Sequence, residues 1–280
     1  MPDSELSGTV VVISDASSGF GKGCALRFAE NGASVVLAAR RDQVLDEVVS
    51  ACELLGGRAL AVPTDMRQDA DVAQLAQSAF SEYGRIDVWV NNAGSGAIGR
   101  FEDIPLADHI SVIETDLIGV IQGSYFALRQ FRRQGAGVLI NVASIVGTVP
   151  APYFSSYVAA KFGVVGLSAA LRQELREEKV DTIHVCTVLP STFDTTFFEH
   201  AARHIGQESS PTPQPILPDT KEVVDAIVRL AAHPEDQVSV GSAAKVSNIV
   251  HHLFPGLVES ILARQTHKAA FETAGEEANG

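Results

Sequence analysis

Short, β-branched apolar runs alternate with stretches of helical period along most of this chain, and that alternation leaves few folds open to it. The runs occupy residues 9–14, 34–39, 58–62, 86–91, 137–143, 182–188 and 237–240. Helical patterns fill the gaps at 21–31, 43–55, 69–83, 106–133 and 153–178, and Asp219 is placed to cap one more helix. A strand with one wet face alternates polar and apolar residues. A run such as Val10-Val11-Val12-Ile13 does not, so both of its faces are expected to be covered. Helical crossovers between such strands predict an α/β fold: a doubly wound, parallel, seven-stranded sheet with helices on both faces. Ligands of such sheets bind beyond the carboxyl ends of the strands, so motifs there are read first.

The chain has 280 residues and is 46% hydrophobic, enough for one large core. Residues 1–265 are read as a single domain, with lid or amphipathic segments at about 191–218 and 242–265, and 266–280 as a disordered tail. Pro211, Pro213, Pro215 and Pro218 mark a loop within it and not a boundary. The net charge of −13 argues against nucleic acid as a partner, and Arg129, Arg132 and Arg133 suit the end of a helix. Cys24, Cys52 and Cys186 are read as reduced core thiols, which, without an export signal in Met-Pro-Asp-Ser-Glu, places the protein in the cytoplasm. No apolar run reaches ~18 residues, and residues 246–262 suit a lid or subunit contact better than a membrane surface. Glu199, His200 and His204 lack a further ligand, so no metal is expected.

Three features carry chemistry. The first strand runs into Ser14-Asp15-Ala16-Ser17-Ser18-Gly19-Phe20-Gly21 and then a helix, and a glycine-rich turn at a helix start offers backbone N–H groups to a pyrophosphate. Tyr157 and Lys161 are spaced i and i+4, so the lysine ammonium sits on the helical face that carries the phenol. A free tyrosine titrates near ~10, and an adjacent cation favours its phenolate. Ser144, thirteen positions before Tyr157, supplies a hydroxyl to a substrate oxygen. Of the four tyrosines, only Tyr157 has a lysine at i+4.

Together these segments resemble the short-chain dehydrogenase/reductase family, a Rossmann-type fold. The resemblance extends through Asn91-Asn92-Ala93-Gly94 and the segment from Leu189 to Thr195. It implies hydride transfer between a nicotinamide and a hydrophobic carbonyl or secondary alcohol, with Tyr157 as acid/base, Lys161 lowering its pKa and holding the nicotinamide ribose, and Ser144 orienting the substrate. It also implies a cofactor held by Asp15, Ser17, Ser18, Gly19, Phe20 and Gly21 at the phosphates, by Asp65 at the adenine, by Asn92, Ala93 and Gly94 along the adenosine, and by Thr195 at the nicotinamide. An acid ending the second strand selects NAD(H), but this chain has Ala39-Arg40, which favours NADP(H). A homodimer or homotetramer built on the helices of 106–133 and 153–178 follows from the same resemblance. Phe193, Phe197, Phe198 and residues 249–257 would form the lid.

Two acids depart from the family pattern. Asp15 replaces the first glycine of the phosphate loop; it either repels the pyrophosphate or turns onto nearby N–H groups as a cap. Asp116 stands 24 residues after Asn92 and 28 before Ser144, where the family has an asparagine that acts through water on the lysine. A carboxylate there is expected to pair with Lys161 and raise the pKa of Tyr157. Ser191 replaces a glycine after Pro190 and would narrow the nicotinamide pocket slightly, or do nothing. A Rossmann-fold binding or regulatory protein with little turnover is the alternative reading.

Overall fold

The computed structural model describes residues 5–191, 202–203, 220–241 and 256. The strands are β1 (Val10–Ser14), β2 (Ser34–Ala39), β3 (Arg58–Pro63), β4 (Val88–Asn91), β6 (Gly137–Val142), β7 (Ile183–Pro190) and β9 (Gln237–Val240). They form one seven-stranded parallel sheet in the order β3-β2-β1-β4-β6-β7-β9. The bridge of β5 (Ala97–Ile98) with β8 (Ala202–Arg203) stands apart from it. The helices are α1 (Gly19–Glu30), α2 (Asp42–Leu54), α3 (Asp69–Tyr83), α4 (Leu106–Ile113), α5 (Gly119–Gln134), α6 (Ser155–Glu177) and α7 (Thr220–Ala232).

The continuous apolar runs serve two cores at once. Val11 and Ile13 of β1 pack with Cys24 and Phe28 of α1, Leu45 and Val48 of α2 and Ile227 and Leu230 of α7. Val10 and Val12 point the other way, to Val72 and Leu75 of α3, Phe131 of α5 and Leu175 of α6. Both faces are therefore dry, which is why alternation is missing from the sequence. The three cysteines are buried thiols, and burial pushes Cys52 and Cys186 up to about 11, so neither is a thiolate near neutrality.

The order reverses between β1 and β4, and there the backbone is tied by one hydroxyl. Ser14 Oγ donates to Val90 O at 3.4 Å and accepts from the N–H groups of Asn92 and Ala93 at 2.9 and 3.0 Å. Asn92 Nδ2 returns to Ser14 O at 3.3 Å. These bonds set the crevice between two strands distant in sequence.

A buried polar chain fixes the helices that flank this crevice. Trp89 Nε1 donates to Asn91 Oδ1 at 2.8 Å, Asn91 Nδ2 to Asn141 Oδ1 at 2.8 Å, and Asn141 Nδ2 to Ser168 Oγ at 3.0 Å, linking β4, β6 and α6. Ser124 of α5 joins through Asn91 Nδ2 at 3.2 Å. Replacing Asn141 by alanine strips Asn91 of its nearest acceptor and Ser168 of a donor, in a site with no exposure. The expected loss is about 3 kcal/mol, read from the urea midpoint at unchanged slope.

The pattern over 106–133 is broken where one helix was expected. α4 and α5 are joined by a π-helical turn, Glu114–Ile118, which keeps the backbone helical but adds a residue to the hydrogen-bonded ring. Hydrophobic period does not register such an insertion. Its trace in the sequence is an acid on the apolar stripe: Asp116 lies four residues from both Val112 and Val120, which are buried. The expected helix at 153–178 begins later, because Tyr153 takes φ 69° and α6 starts at Ser155.

Candidate active site

At the carboxyl ends of the central strands lies a cavity of about 460 Å³. The turn after β1 gives its wall Asp15, Ser17, Ser18 and Phe20, and the segments after β2 and β3, toward one edge of the sheet, give it Arg40, Arg41, Asp65 and Arg67. Asn92, Ala93 and Gly94 line the middle, while Tyr157 and Lys161 close the end nearest β6. Gly21 lies beneath the turn, where a Cβ would stand 2.1 Å from Asp15 O, so glycine is required there by space. Thr195 and the expected lid, Phe193, Phe197, Phe198 and 249–257, lie outside the described residues, as do Glu199, His200 and His204. Among the described residues no cluster suits a metal ion, and no helix is long and apolar enough to cross a membrane.

The turn after β1 is built on a left-handed residue that is not glycine. Asp15 has φ 53°, a conformation aspartate adopts more readily than most residues, at about 1 kcal/mol over glycine. Ser18 stands at the N-cap of α1 without a side-chain capping bond, and the first turn of α1 meets the cavity through Ser18 and Phe20. Asp15 is itself part of the cavity wall.

Ser144, Tyr157, Lys161 and Asp116 are brought together. Lys161 Nζ lies 3.3 Å from Asp116 Oδ2, donates to Val142 O at 3.3 Å, and stands 5.4 Å from the Tyr157 ring centre. The lysine side chain is 4% exposed and the aspartate 0%, so this ion pair is dry. Asp116 Oδ1 accepts from Ser95 N at 2.7 Å and Ser95 Oγ at 3.1 Å. Oδ2 is close enough to Nζ for an ion pair but lacks a well-aligned hydrogen bond. Ser144 and Asp116 are buried, Ser144 beside Tyr157 and Asp116 beside Lys161.

This packing sets the protons. Burial pushes the Tyr157 phenol above its ordinary range, the Asp116 charge pushes it further, and a hydrogen bond with Ser144 opposes them. Burial also raises the Asp116 carboxyl, against Lys161 and Ser95. The site therefore favours a protonated phenol, an arrangement suited to giving a proton to a developing alkoxide.

Sequence reasoning missed several wall residues. Arg67 grips Asp65, with Nη2 to Oδ2 at 2.6 Å and Nε to Oδ1 at 3.0 Å. Ser95 follows Gly94 directly and holds Asp116, and α4 with the π-helical turn after it adds Asp108, Ser111 and Thr115 to the wall. Adjacency to Asp65 and Gly94 was the signal for the first two. The last three follow only once α4 is seen to run beside the crevice.

A family model described as short chain dehydrogenase matches residues 9–205. An uncharacterized oxidoreductase of Bacillus subtilis, YxnA, is 33% identical over 93% of this chain and 73% of its own length. The cis-4-hydroxycyclohexanecarboxylate dehydrogenase of Sinomonas cyclohexanicum is 35% identical over 80% of this chain and 89% of its own. Among solved structures, a short chain dehydrogenase/reductase from Burkholderia phymatum in complex with NAD superposes with a TM-score of 0.80 at 25% identity, covering 90% of this chain and 96% of that one. With the strand order, the tight turn from β1 into α1 and the buried tyrosine and lysine already in place, the match over residues 9–205 makes this chain a member of the short-chain dehydrogenase/reductase family of oxidoreductases.

Proposed function

We propose that the protein moves hydride between NADP(H) and a hydrophobic carbonyl or secondary alcohol, with Tyr157 as the acid/base. The observation that carries this reading is the buried Tyr157 at the cavity wall, hydrogen-bonded to Ser144 and flanked by the Lys161 ammonium. The cavity suits a dinucleotide: the N-terminal turn of α1 lines it at one point and the arginines after β2 and β3 line it at another. Ser17, Ser18, the amides of Gly19 to Gly21, Arg40, Asn92, Ala93 and Gly94 would hold it, with Thr195 at the nicotinamide. When bound, the nicotinamide supplies or accepts the hydride.

The residues of the chain manage the proton. In reduction, Tyr157 Oη gives its proton to the carbonyl oxygen; in oxidation, it takes one from the alcohol. Ser144 orients that oxygen. Val112, packed against Tyr157 together with Ile98 and Val146, gives this end an apolar character that favours a hydrophobic substrate. The 2′-phosphate preference rests on Ala39-Arg40 at the end of β2. The Burkholderia phymatum structure was solved in complex with NAD, so the shared fold does not by itself select NADP(H). A panel of ketones and alcohols with NADPH, NADH and their oxidised forms tests the reading. Turnover with NADP(H) at about tenfold lower KM than NAD(H) is expected, and turnover with NAD(H) alone would overturn the cofactor assignment.

Asp15 and Asp116 favour the second reading, a binding or regulatory protein with weak turnover. Cofactor binding without turnover on any member of the panel would support it. We also propose a homodimer or homotetramer. Ile118, Ile121 and Tyr125 make an exposed apolar stripe at i, i+3 and i+7, and Phe162 of α6 is exposed too. Light scattering of Ile121→Asp/Phe162→Asp is expected to show a smaller species than wild type; an unchanged mass rejects this surface.

A further inference from the structure

We propose that Arg67 is a specificity-determining residue at the adenosine end of the cavity, masking the charge of Asp65 and joining Arg40 in receiving a 2′-phosphate. This rests on the NADP(H) reading above and assigns a role to a residue that the β2 terminus does not account for.

The Asp65 carboxylate is already occupied. Oδ1 accepts the Arg67 backbone N–H at 3.0 Å and Nε at 3.0 Å, while Oδ2 accepts Nη2 at 2.6 Å and shares Nε at 3.1 Å. A carboxylate offers about four acceptor positions, so an adenine amino group has to compete for this one. The backbone is held as well: Asp65 N donates to Asp71 Oδ2 at 3.0 Å, and Gln122 Nε2 donates to Arg67 O at 3.3 Å. Arg67's hydrogen bonds hold the Asp65 carboxyl below the usual carboxylate range, and the Arg40 charge acts in the same sense.

The electrostatic consequence is local. Arg40, Arg41, Arg67 and Asp65 wall the same end of the cavity. With Arg67 on Asp65, a dianionic group entering there meets the remaining guanidinium N–H donors of Arg67 and the charges of Arg40 and Arg41. Without Arg67 it meets a bare carboxylate. Loss of one cation and exposure of one anion then act together, and only a ligand with a phosphate on the 2′-oxygen feels the full difference. Both side chains keep some exposure, 31% and 22%, so added salt is expected to shrink the effect.

Calorimetric titration of the full chain with adenosine 2′,5′-bisphosphate and adenosine 5′-monophosphate separates the possibilities. Arg67→Gln is expected to weaken the bisphosphate about tenfold while moving the monophosphate less than about twofold, the latter also reporting an intact site. Asp65→Asn/Arg67→Gln is expected to recover about half of that loss or more on a logarithmic scale. Equal weakening of both nucleotides by Arg67→Gln, or a double variant as weak as the single one, would overturn the proposal. A wild type that binds the two nucleotides equally, with Arg67→Gln still acting only on the bisphosphate, would remove the NADP(H) preference and leave the role of Arg67 standing.

Discussion

Tyr157→Phe is expected to lower turnover by about a thousandfold while leaving the Kd for NADPH within about twofold. The substitution removes one oxygen from a side chain that is 6% exposed and packed against Ile98, Val112 and Val146, so the fold has no cavity to accommodate. On the proposed reading, what disappears is the proton donor to the substrate oxygen. Lys161 keeps its hydrogen bond to Val142 O and its ion pair with Asp116, and the turn after β1 is untouched, so binding is expected to survive. A loss in kcat with unchanged cofactor affinity is the signature of a group acting in the reaction and not in assembly of the site. Equal turnover in the two proteins would remove Tyr157 from the chemistry.

Asp116→Asn is expected to give the opposite sign in activity and a cost in stability. Burial first and the Asp116 charge second stabilise the neutral phenol, so removing that charge lowers the Tyr157 pKa. Alcohol oxidation needs the phenolate, whose fraction at neutral pH rises about tenfold for each unit; oxidation near pH 7 should rise accordingly and its alkaline limb should move down. Carbonyl reduction, which uses the protonated phenol, should gain little. Asparagine Oδ1 can keep the two bonds from Ser95, but Lys161 is left buried without its counter-charge, at about 3 kcal/mol. A variant that is faster and less stable is thus the expected result, measured by pH-rate profiles and urea unfolding on one preparation.

The sheet was legible because its strands are buried on both faces: runs such as Val10 to Ile13 have no other use in a chain of this composition. The site was legible where one residue type does one task. Tyr157 and Lys161 share a helical face, and Ser14 to Gly21 turns from strand to helix. What escaped depended on geometry that spacing does not carry. Periodicity across 106–133 continues through a π-turn, so the break between α4 and α5 is visible only in space, although the pairing of Asp116 with Lys161 was expected from the sequence. The grip of Arg67 on Asp65 is a choice of rotamer two residues along a loop, and sequence sets only its possibility. Asp15 is intermediate: its occurrence at a glycine position was evident, and its φ of 53° explains why aspartate is tolerated there.

Titration of the phenols tests the setting of Tyr157 without knowledge of the substrate. The chain has four tyrosines, so ring-labelled protein gives few resonances, and Tyr157→Phe assigns the one in question. In the wild type the Tyr157 resonance should titrate above the ordinary value of ~10, and in Asp116→Asn it should titrate at a lower pH than in the wild type. A Tyr157 that titrates at or below its ordinary value in the wild type, or at the same pH in both proteins, would contradict the assignment of Asp116 as the acid that holds the phenol in its protonated form.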